Sequence, residues 1–320
     1  MPEKQSPQRA VALDLGGTRF RVAVGTSDGV LEWRVSRPTL AERGREAVLD
    51  AIFATIDEAI ATVADPKTIK GIGIGAPGPL DPWKGVIINP PNLPGWDGTP
   101  LKQLFEVRFG LRTLVGNDAN LAAVGEHRYG AGKGYDHVIY VTVSTGIGGG
   151  VIVDNRLLLG HCGFAGEVGH MTIDMHGPRC RCGNVGCLEA LASGTAIART
   201  ARELVASGVE TALRELPPDE ITAKRVAELA IQGDEASREI LRQAGTALGV
   251  GMVNLIHLFN PQRIIIGGGV SNAGPLLWEP MRQTVATRAL ISCQRDMEIV
   301  PAGLADDAGL LGAIALVTLG

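Results

Sequence analysis

The sequence predicts an α/β protein built from two related halves. Three observations carry that prediction. The pattern strand, glycine turn, strand, tight turn, strand is written twice, at residues 10–36 and again at 137–160. A further apolar strand, "RIIIGGGVS", runs into a glycine turn of its own. Helical stripes at 43–64 and 236–258 alternate with these strands.

Taken in order, the first nine residues read as a loose tail. "AVALDLGG" is a strand entering a glycine turn, "RFRVAV" a second strand, "TSDG" a tight turn and "VLEWRV" a third strand. The helix that follows carries Val48, Ile52, Ile56, Ile60 and Val63 on one stripe. The second copy reads "HVIYVTVS", "TGIGG", "GVIV", "DN" and "RLLLG". Two such turns facing across a cleft could grip one string of phosphates, because each offers backbone N–H groups. Ordinary hairpins are the plainer reading, and the duplication weighs against it. "DDAGLLGAIALV" closes the chain as a helix, with Asp306 or Asp307 as its N-cap.

Bulk composition narrows the function. The chain has 320 residues, enough for two domains and a large core. Its hydrophobic fraction of 45% and charged fraction of 20% are those of a soluble globular protein. A net charge of -4 gives no reason to expect nucleic acid or an anionic membrane, and 4% aromatics do not supply a base-stacking surface. The N-terminus has no apolar run, and "AGLLGAIALVTLG" is too short to span a bilayer. The expected location is therefore the cytoplasm. Disulfides are rare there, so clustered cysteines point to metal.

Three of the five cysteines fall in "CRCGNVGCLE", at Cys180, Cys182 and Cys187. A closed tetrahedral zinc needs a fourth ligand. His170 lies upstream in "GEVGHM", with His161, Cys162 and His176 as competitors. Four protein ligands would leave no open position, so the metal is expected to be structural. It would fix His170 through one ring nitrogen and so aim Glu167, His170 and Glu189 at one point, an arrangement suited to a polyhydroxyl ligand.

"VGNDAN" ends an apolar strand with Asn117 and Asp118, where an aspartate could take a proton from a substrate hydroxyl. Simple turn chemistry is the competing reading. Asp14, just before Gly16, Gly17 and Thr18, is placed to hold Mg2+ near phosphates, with Arg19 and Arg21 adding positive charge. "GIGIGAPGPLD" contains G-x-G-x-x-G at Gly73, Gly75 and Gly78, but Pro77 and Pro79 argue against a dinucleotide fingerprint. No P-loop sequence occurs.

Together these pieces resemble the ROK family of sugar kinases, regulators and open reading frames. The matches are "LDLGGTRFRVAV", "GAPGPLD", "NPPNLPGW", "GNDAN", "VSTGIGGGVIV", "GEVGH" and "CRCGNVGCLEA", in family order from about residue 10 to the end. The resemblance implies an actin-like ATPase (ribonuclease H-like) fold, with ATP and sugar between two α/β domains, 10–117 plus 307–320 and 118–306. It implies Asp118 as catalytic base and Gly78, Asn92, Asn117, Asp118, Glu167, His170 and Glu189 as sugar contacts. Thr145, Gly146, Gly267, Gly268 and Gly269 would lie along the nucleotide. His170, Cys180, Cys182 and Cys187 match the family's zinc set. Arg19 stands where Lys or Asn is common, which leaves that side chain's contact open.

Family members also include repressors with an added N-terminal helix-turn-helix. Nine residues before the first strand leave no room for one, which favours an enzyme. "PPNLPGW" and "GCLEALASGTAIAR" resemble the family's glucose kinases most. The implied reaction is phosphorylation of the 6-hydroxyl of glucose by ATP with Mg2+. The alternatives are fructose, an N-acetylhexosamine such as N-acetylmannosamine, or a sugar-responsive regulator. A homo-oligomer, dimer or tetramer, is expected.

Overall fold

The structure, a computed structural model, describes residues 7–90 and 92–319. The chain opens with β1 (Arg9–Leu15), β2 (Arg19–Thr26), β3 (Leu31–Pro38), α1 (Arg45–Ala61), β4 (Ile69–Ala76), β5 (Leu80–Asp81) and β6 (Val86–Ile87). Next come α2 (Leu101–Phe109), β7 (Thr113–Asn117), α3 (Asp118–Tyr129), β8 (Val138–Val143), β9 (Ile147–Val153) and β10 (Arg156–Leu157). Helices α4 (Leu188–Ala192), α5 (Gly194–Ala206), α6 (Ala223–Gln232) and α7 (Glu235–Phe259) follow. The last elements are β11 (Arg263–Gly267), α8 (Pro275–Arg288), α9 (Ile291–Gln294), β12 (Glu298–Pro301) and α10 (Ala308–Thr318). Two compact units divide the chain. The first holds the described residues through Tyr135, Gly150–Gly166 and those from Gly303 onward; the second holds Asp136–Gly149 and Glu167–Ala302.

Both predicted meanders form. The first sheet has the order β3-β2-β1-β4-β7 and the second β10-β9-β8-β11-β12. In each, an antiparallel meander continues into parallel strands. The parallel strands read as unbroken apolar runs, such as "RIIIG" of β11, because both faces are covered.

In the first unit, α1 covers one face of the sheet and buries Val48, Ile52 and Ile56 of the predicted stripe with Leu49 and Ala59. The closing helix α10 packs against α3, β1 and β4, burying Leu310, Leu311, Ala313, Ile314 and Val317 with Ala10, Ala12 and Leu121. Gly73, the first glycine of the G-x-G-x-x-G pattern, answers to this contact. A Cβ on Gly73 would lie 2.1 Å from the carbonyl oxygen of Ala313, so β4 admits α10 only without a side chain there. Gly312 repeats the device on the helix itself, where a Cβ would lie 1.7 Å from the carbonyl oxygen of Leu121.

In the second unit, the 25-residue α7 lies against α8. Asp234 caps α7, its carboxylate accepting the Ser237 amide at 2.8 Å and the Ala212 amide at 3.0 Å. Among the described residues no helix is long and apolar enough to cross a membrane.

Candidate active site and metal centre

The candidate residues of the first unit sit where β1, β4 and β7 end. The first glycine turn closes with the Gly16 amide donating to Arg19 O at 2.9 Å. Thr39 ties it down, its hydroxyl donating to Gly16 O at 2.6 Å and its amide to Thr18 O at 2.9 Å. Thr18 and Arg19 are exposed. Asn92 packs on Gly17, where a Cβ would lie 2.6 Å from Asn92 O.

Asp14 is paired with Arg21: Arg21 Nε donates to Asp14 Oδ2 at 2.9 Å and Nη2 to the same oxygen at 2.5 Å. A third guanidinium nitrogen of Arg21 donates to the carbonyl of Asp306. Arg21 is thus committed to holding Asp14. Asp14 Oδ1 faces two glycines, Gly75 and Gly309, where Cβ atoms would lie 3.7 and 3.9 Å away. That leaves one carboxylate oxygen beside open backbone.

At the carboxyl end of β7, Asn117 does the capping that plain turn chemistry predicted. Its Oδ1 accepts the amides of Ala119 at 3.0 Å and Asn120 at 3.2 Å. The amide nitrogen Nδ2 is the end left to face a ligand, and a Cβ on Gly78 would lie 3.0 Å from it. Asp118 is exposed in the first turn of α3, with Oδ1 accepting the Ala119 amide at 2.7 Å.

In the second unit, His170, Cys180, Cys182 and Cys187 each offer one ligand atom, and all four atoms lie within 4.8 Å of one another. Among the described residues, His161, Cys162 and His176 do not join the set. Cys182 Sγ and Cys187 Sγ are 3.7 Å apart, and Cys180 Sγ is 3.8 Å from His170 Nδ1. The loop is a tight knuckle. Cys180 N donates to Asn184 O at 2.8 Å, Gly183 N to Cys180 O at 3.0 Å, and Gly183 has φ +97°, open to glycine at little cost. Burial pushes the Cys187 thiol up to about 12, helped by its neighbours Cys182 and Cys180. Burial also raises Cys180, while the Asn184 amide lowers Cys182. A metal ion binds cysteine as thiolate, so an ion taken up here would displace the thiol protons.

Glu167 is exposed at the start of the turn Val168–His170. Glu189 lies in the first turn of α4, and its Oε2 accepts the Ile147 amide at 2.9 Å, at the foot of the second glycine turn. Thr145 is exposed, and Gly146 is close enough to Glu189 that a Cβ would lie 2.4 Å from Oε2. After β11, Gly268 has φ +88° and sits where a Cβ would lie 2.3 Å from Val143 O, so the strand can turn there only as glycine. Gly267 lies against the Tyr140 hydroxyl, and Gly269 has open space beside it.

Thr145 and Gly269 line one cavity of about 790 Å³, within the size range of a cofactor site. Its other walls include Thr195 and Arg202 of α5, and Lys224, Glu228 and Ile231 of α6. The sequence reading missed these. Arg202 joins the walls by donating to Pro218 O at 2.8 Å and Ile221 O at 3.0 Å. The signals available were the Ser193 cap before "GTAIAR", whose Oγ accepts the Ala196 amide at 3.1 Å, and the amphipathic stripe of α6.

The ROK family profile matches residues 10–319. The chain is 39% identical to the glucokinase of Thermotoga maritima over 97% of each sequence. It is 34% identical to the xylose repressor of Caldicellulosiruptor bescii, over 96% of this chain and 77% of the repressor. The crystal structure of a ROK family glucokinase from Streptomyces griseus, in complex with glucose and AMPPNP, superposes with a TM-score of 0.80 at 35% identity, covering 98% of this chain and 100% of that one.

Proposed function

The chain belongs to the ROK family and has the actin-like ATPase fold, and we propose that it transfers the γ-phosphoryl group of ATP to the 6-hydroxyl of glucose. The observation that carries this reading is the exposed Asp118 at the carboxyl end of β7, beside Gly78 and Asn117, which caps α3, in a chain so similar to glucokinases. Asp118 accepts the proton of the 6-hydroxyl as that oxygen attacks phosphorus. Gly78, Asn92, Asn117 through Nδ2, Glu167, His170 and Glu189 are the proposed sugar contacts. The nucleotide occupies the cavity lined by Thr145, Gly269 and α6, with Gly267 and Gly268 shaping its wall. Gly16 keeps the first glycine turn in shape through its own bond to Arg19 O, and backbone amides at Gly17, Thr18 and Arg19, and at Thr145 and Gly146 in the second turn, offset phosphate charge.

Asp14 suits Mg2+, which keeps most of its waters and needs few protein oxygens. Arg21 occupies Oδ2, and Oδ1 has the glycine cradle. When bound, Mg2+ neutralises charge on the phosphates. The cysteine set suits zinc. Zn–S bonds of about 2.3 Å at tetrahedral angles put sulfurs roughly 3.8 Å apart, against 3.7 Å for Cys182 and Cys187. Such an ion contributes structure, since His170, Cys180, Cys182 and Cys187 fill all four positions. His170 would bind through Nδ1, the nitrogen beside Cys180, leaving Nε2 for the sugar. Location in the cytoplasm, a role in glycolysis, and a dimer or tetramer belong to the same proposal, as does a two-domain division near residues 118 and 306.

A coupled kinase assay with MgATP over a sugar panel tests the reading. Glucose should give the highest kcat/KM. A maximum at fructose or N-acetylmannosamine would change the substrate and keep the chemistry. Operator binding without kinase activity would overturn the enzyme.

A further inference from the structure

The metal loop and the Ser144–Ile147 turn are far apart in sequence, yet Ile147 is gripped from two sides by neighbours of metal ligands. Its amide donates to Glu189 Oε2 at 2.9 Å, and Glu189 stands two residues after Cys187. Its carbonyl oxygen would lie 2.0 Å from a Cβ on Gly169, which stands next to His170. Only glycine allows that approach, and Gly146 likewise admits the Glu189 carboxylate. The same segment holds the rest of the turn. The Gly194 amide donates to Ser144 O at 2.7 Å. Thr145 O accepts two bonds from Thr195, from its amide at 3.2 Å and its hydroxyl at 2.8 Å.

A carboxylate bonded to a backbone amide is a charge-assisted contact that depends on where the carboxylate is held. Cys187 fixes the start of the segment carrying Glu189, and Ser193 fixes its far end by capping α5. We propose that Cys187–Thr195 is a strut that carries the order of the metal loop into the Thr145–Gly146 turn, with Glu189 and Thr195 as positioning residues acting through that turn. The proposal rests on the nucleotide role assigned to the turn above. It extends the metal's reach from sugar to nucleotide. The competing anchor is Leu188, buried where a Cβ on Gly251 would lie 2.7 Å from its Cδ2. If that packing alone held the strut, the metal would not matter to the turn.

The test compares the full-length metal-loaded protein, the same protein stripped by a chelator, and the variants Glu189→Ala and Thr195→Val. Metal content, AMPPNP affinity by calorimetry and amide exchange at residues 144–147 and 16–19 are measured on each. Stripping should speed exchange of the Ile147 amide at least tenfold, leave residues 16–19 unchanged, and weaken AMPPNP about five- to tenfold, the scale of one hydrogen bond's net contribution. Glu189→Ala should do the same with its metal in place, and stripping it further should add little, because the link is already cut. Thr195→Val should weaken AMPPNP about threefold at full metal content. Unchanged exchange at Ile147 in the stripped protein, or additive losses from stripping and Glu189→Ala, overturn the strut. If stripping unfolds the chain, metal-loaded Glu189→Ala decides alone: normal exchange and normal AMPPNP affinity overturn it. Exchange needs no nucleotide. A loaded protein that binds no AMPPNP and phosphorylates no sugar would therefore refute the kinase reading, while faster exchange at residues 144–147 would still uphold the strut.

Discussion

The two glycine turns hold the same place in sheets of the same order, yet they are braced differently. The first is held from within its own unit's strand ends: Arg21 on Asp14, Thr39 on Gly16 and Thr18, and Asn92 over Gly17. The second is held by a later stretch of its own unit, residues 169–195, that carries the four candidate metal ligands. Topology decides where such a turn falls. The segment packed beside it decides what the turn depends on.

The largest expected effect lies outside both turns and sets the scale. Asp118→Asn should lower kcat by about 10²–10⁴ while leaving glucose binding and metal content near normal. A near-normal kcat would remove Asp118 from the base role. The next effect should separate the turns. Cys182→Ser, checked for metal loss by elemental analysis, should weaken glucose about 10–100-fold, as loss of ligand orientation does at metal sites. The first turn should be untouched, with exchange at residues 16–19 unaltered. Disorder there would erase the contrast between the two braces. Asp14→Asn should act in reverse, costing about tenfold in kcat/KM for MgATP with full metal content and unchanged glucose affinity. Relief of that loss by raised Mg2+ would sharpen the assignment.

The smallest effect is a control that touches neither turn. Asp234→Ala removes the cap of α7 and should cost about 1 kcal/mol of stability, read by denaturant unfolding. Burial works against the Asp234 carboxylate, but hydrogen bonds from Ser237, Ala212 and Thr211 hold it below the usual aspartate value. A carboxyl group lowered on folding stabilises the native state above its unfolded value, roughly pH 4, and that contribution is lost as pH falls further. The gap between native protein and Asp234→Ala should therefore be full at pH 7 and narrow below pH 4. A gap that widened in acid would contradict the sign.

Much of this was legible in the sequence because its signals are local. The meanders announce themselves by alternation and turn residues, the metal set by the spacing of Cys180, Cys182 and Cys187, and α1 by its stripe. What stayed hidden is long-range. Gly73 falls in a G-x-G-x-x-G pattern that Pro77 and Pro79 argue against, and only the passage of Ala313 across β4 reveals its use. Asn117 read as a ligand contact or a turn former, and it caps α3 through Oδ1 while leaving Nδ2 available. The cavity walls from α5 and α6 carry no motif, since Arg202 meets Lys224 and Glu228 there only through the packing of the two helices. The bond from Ile147 to Glu189 spans residues that no local pattern connects.

The backbone contact between α10 and β4 has a consequence for biosynthesis. The face of the first sheet formed by Ala10, Ala12 and Ala23 finds its cover in Leu310, Ala313 and Ile314, at the other extreme of the chain. During translation the opening strands emerge early, yet this face stays bare until the final helix leaves the ribosome. At about 5–20 residues per second, close to 300 residues of synthesis amount to roughly 15–60 seconds of exposure. The second unit, complete by Ala302, can fold while the first still waits. A chain stalled shortly before residue 308 would carry a complete second unit and an open, adhesive sheet, a natural target for chaperones.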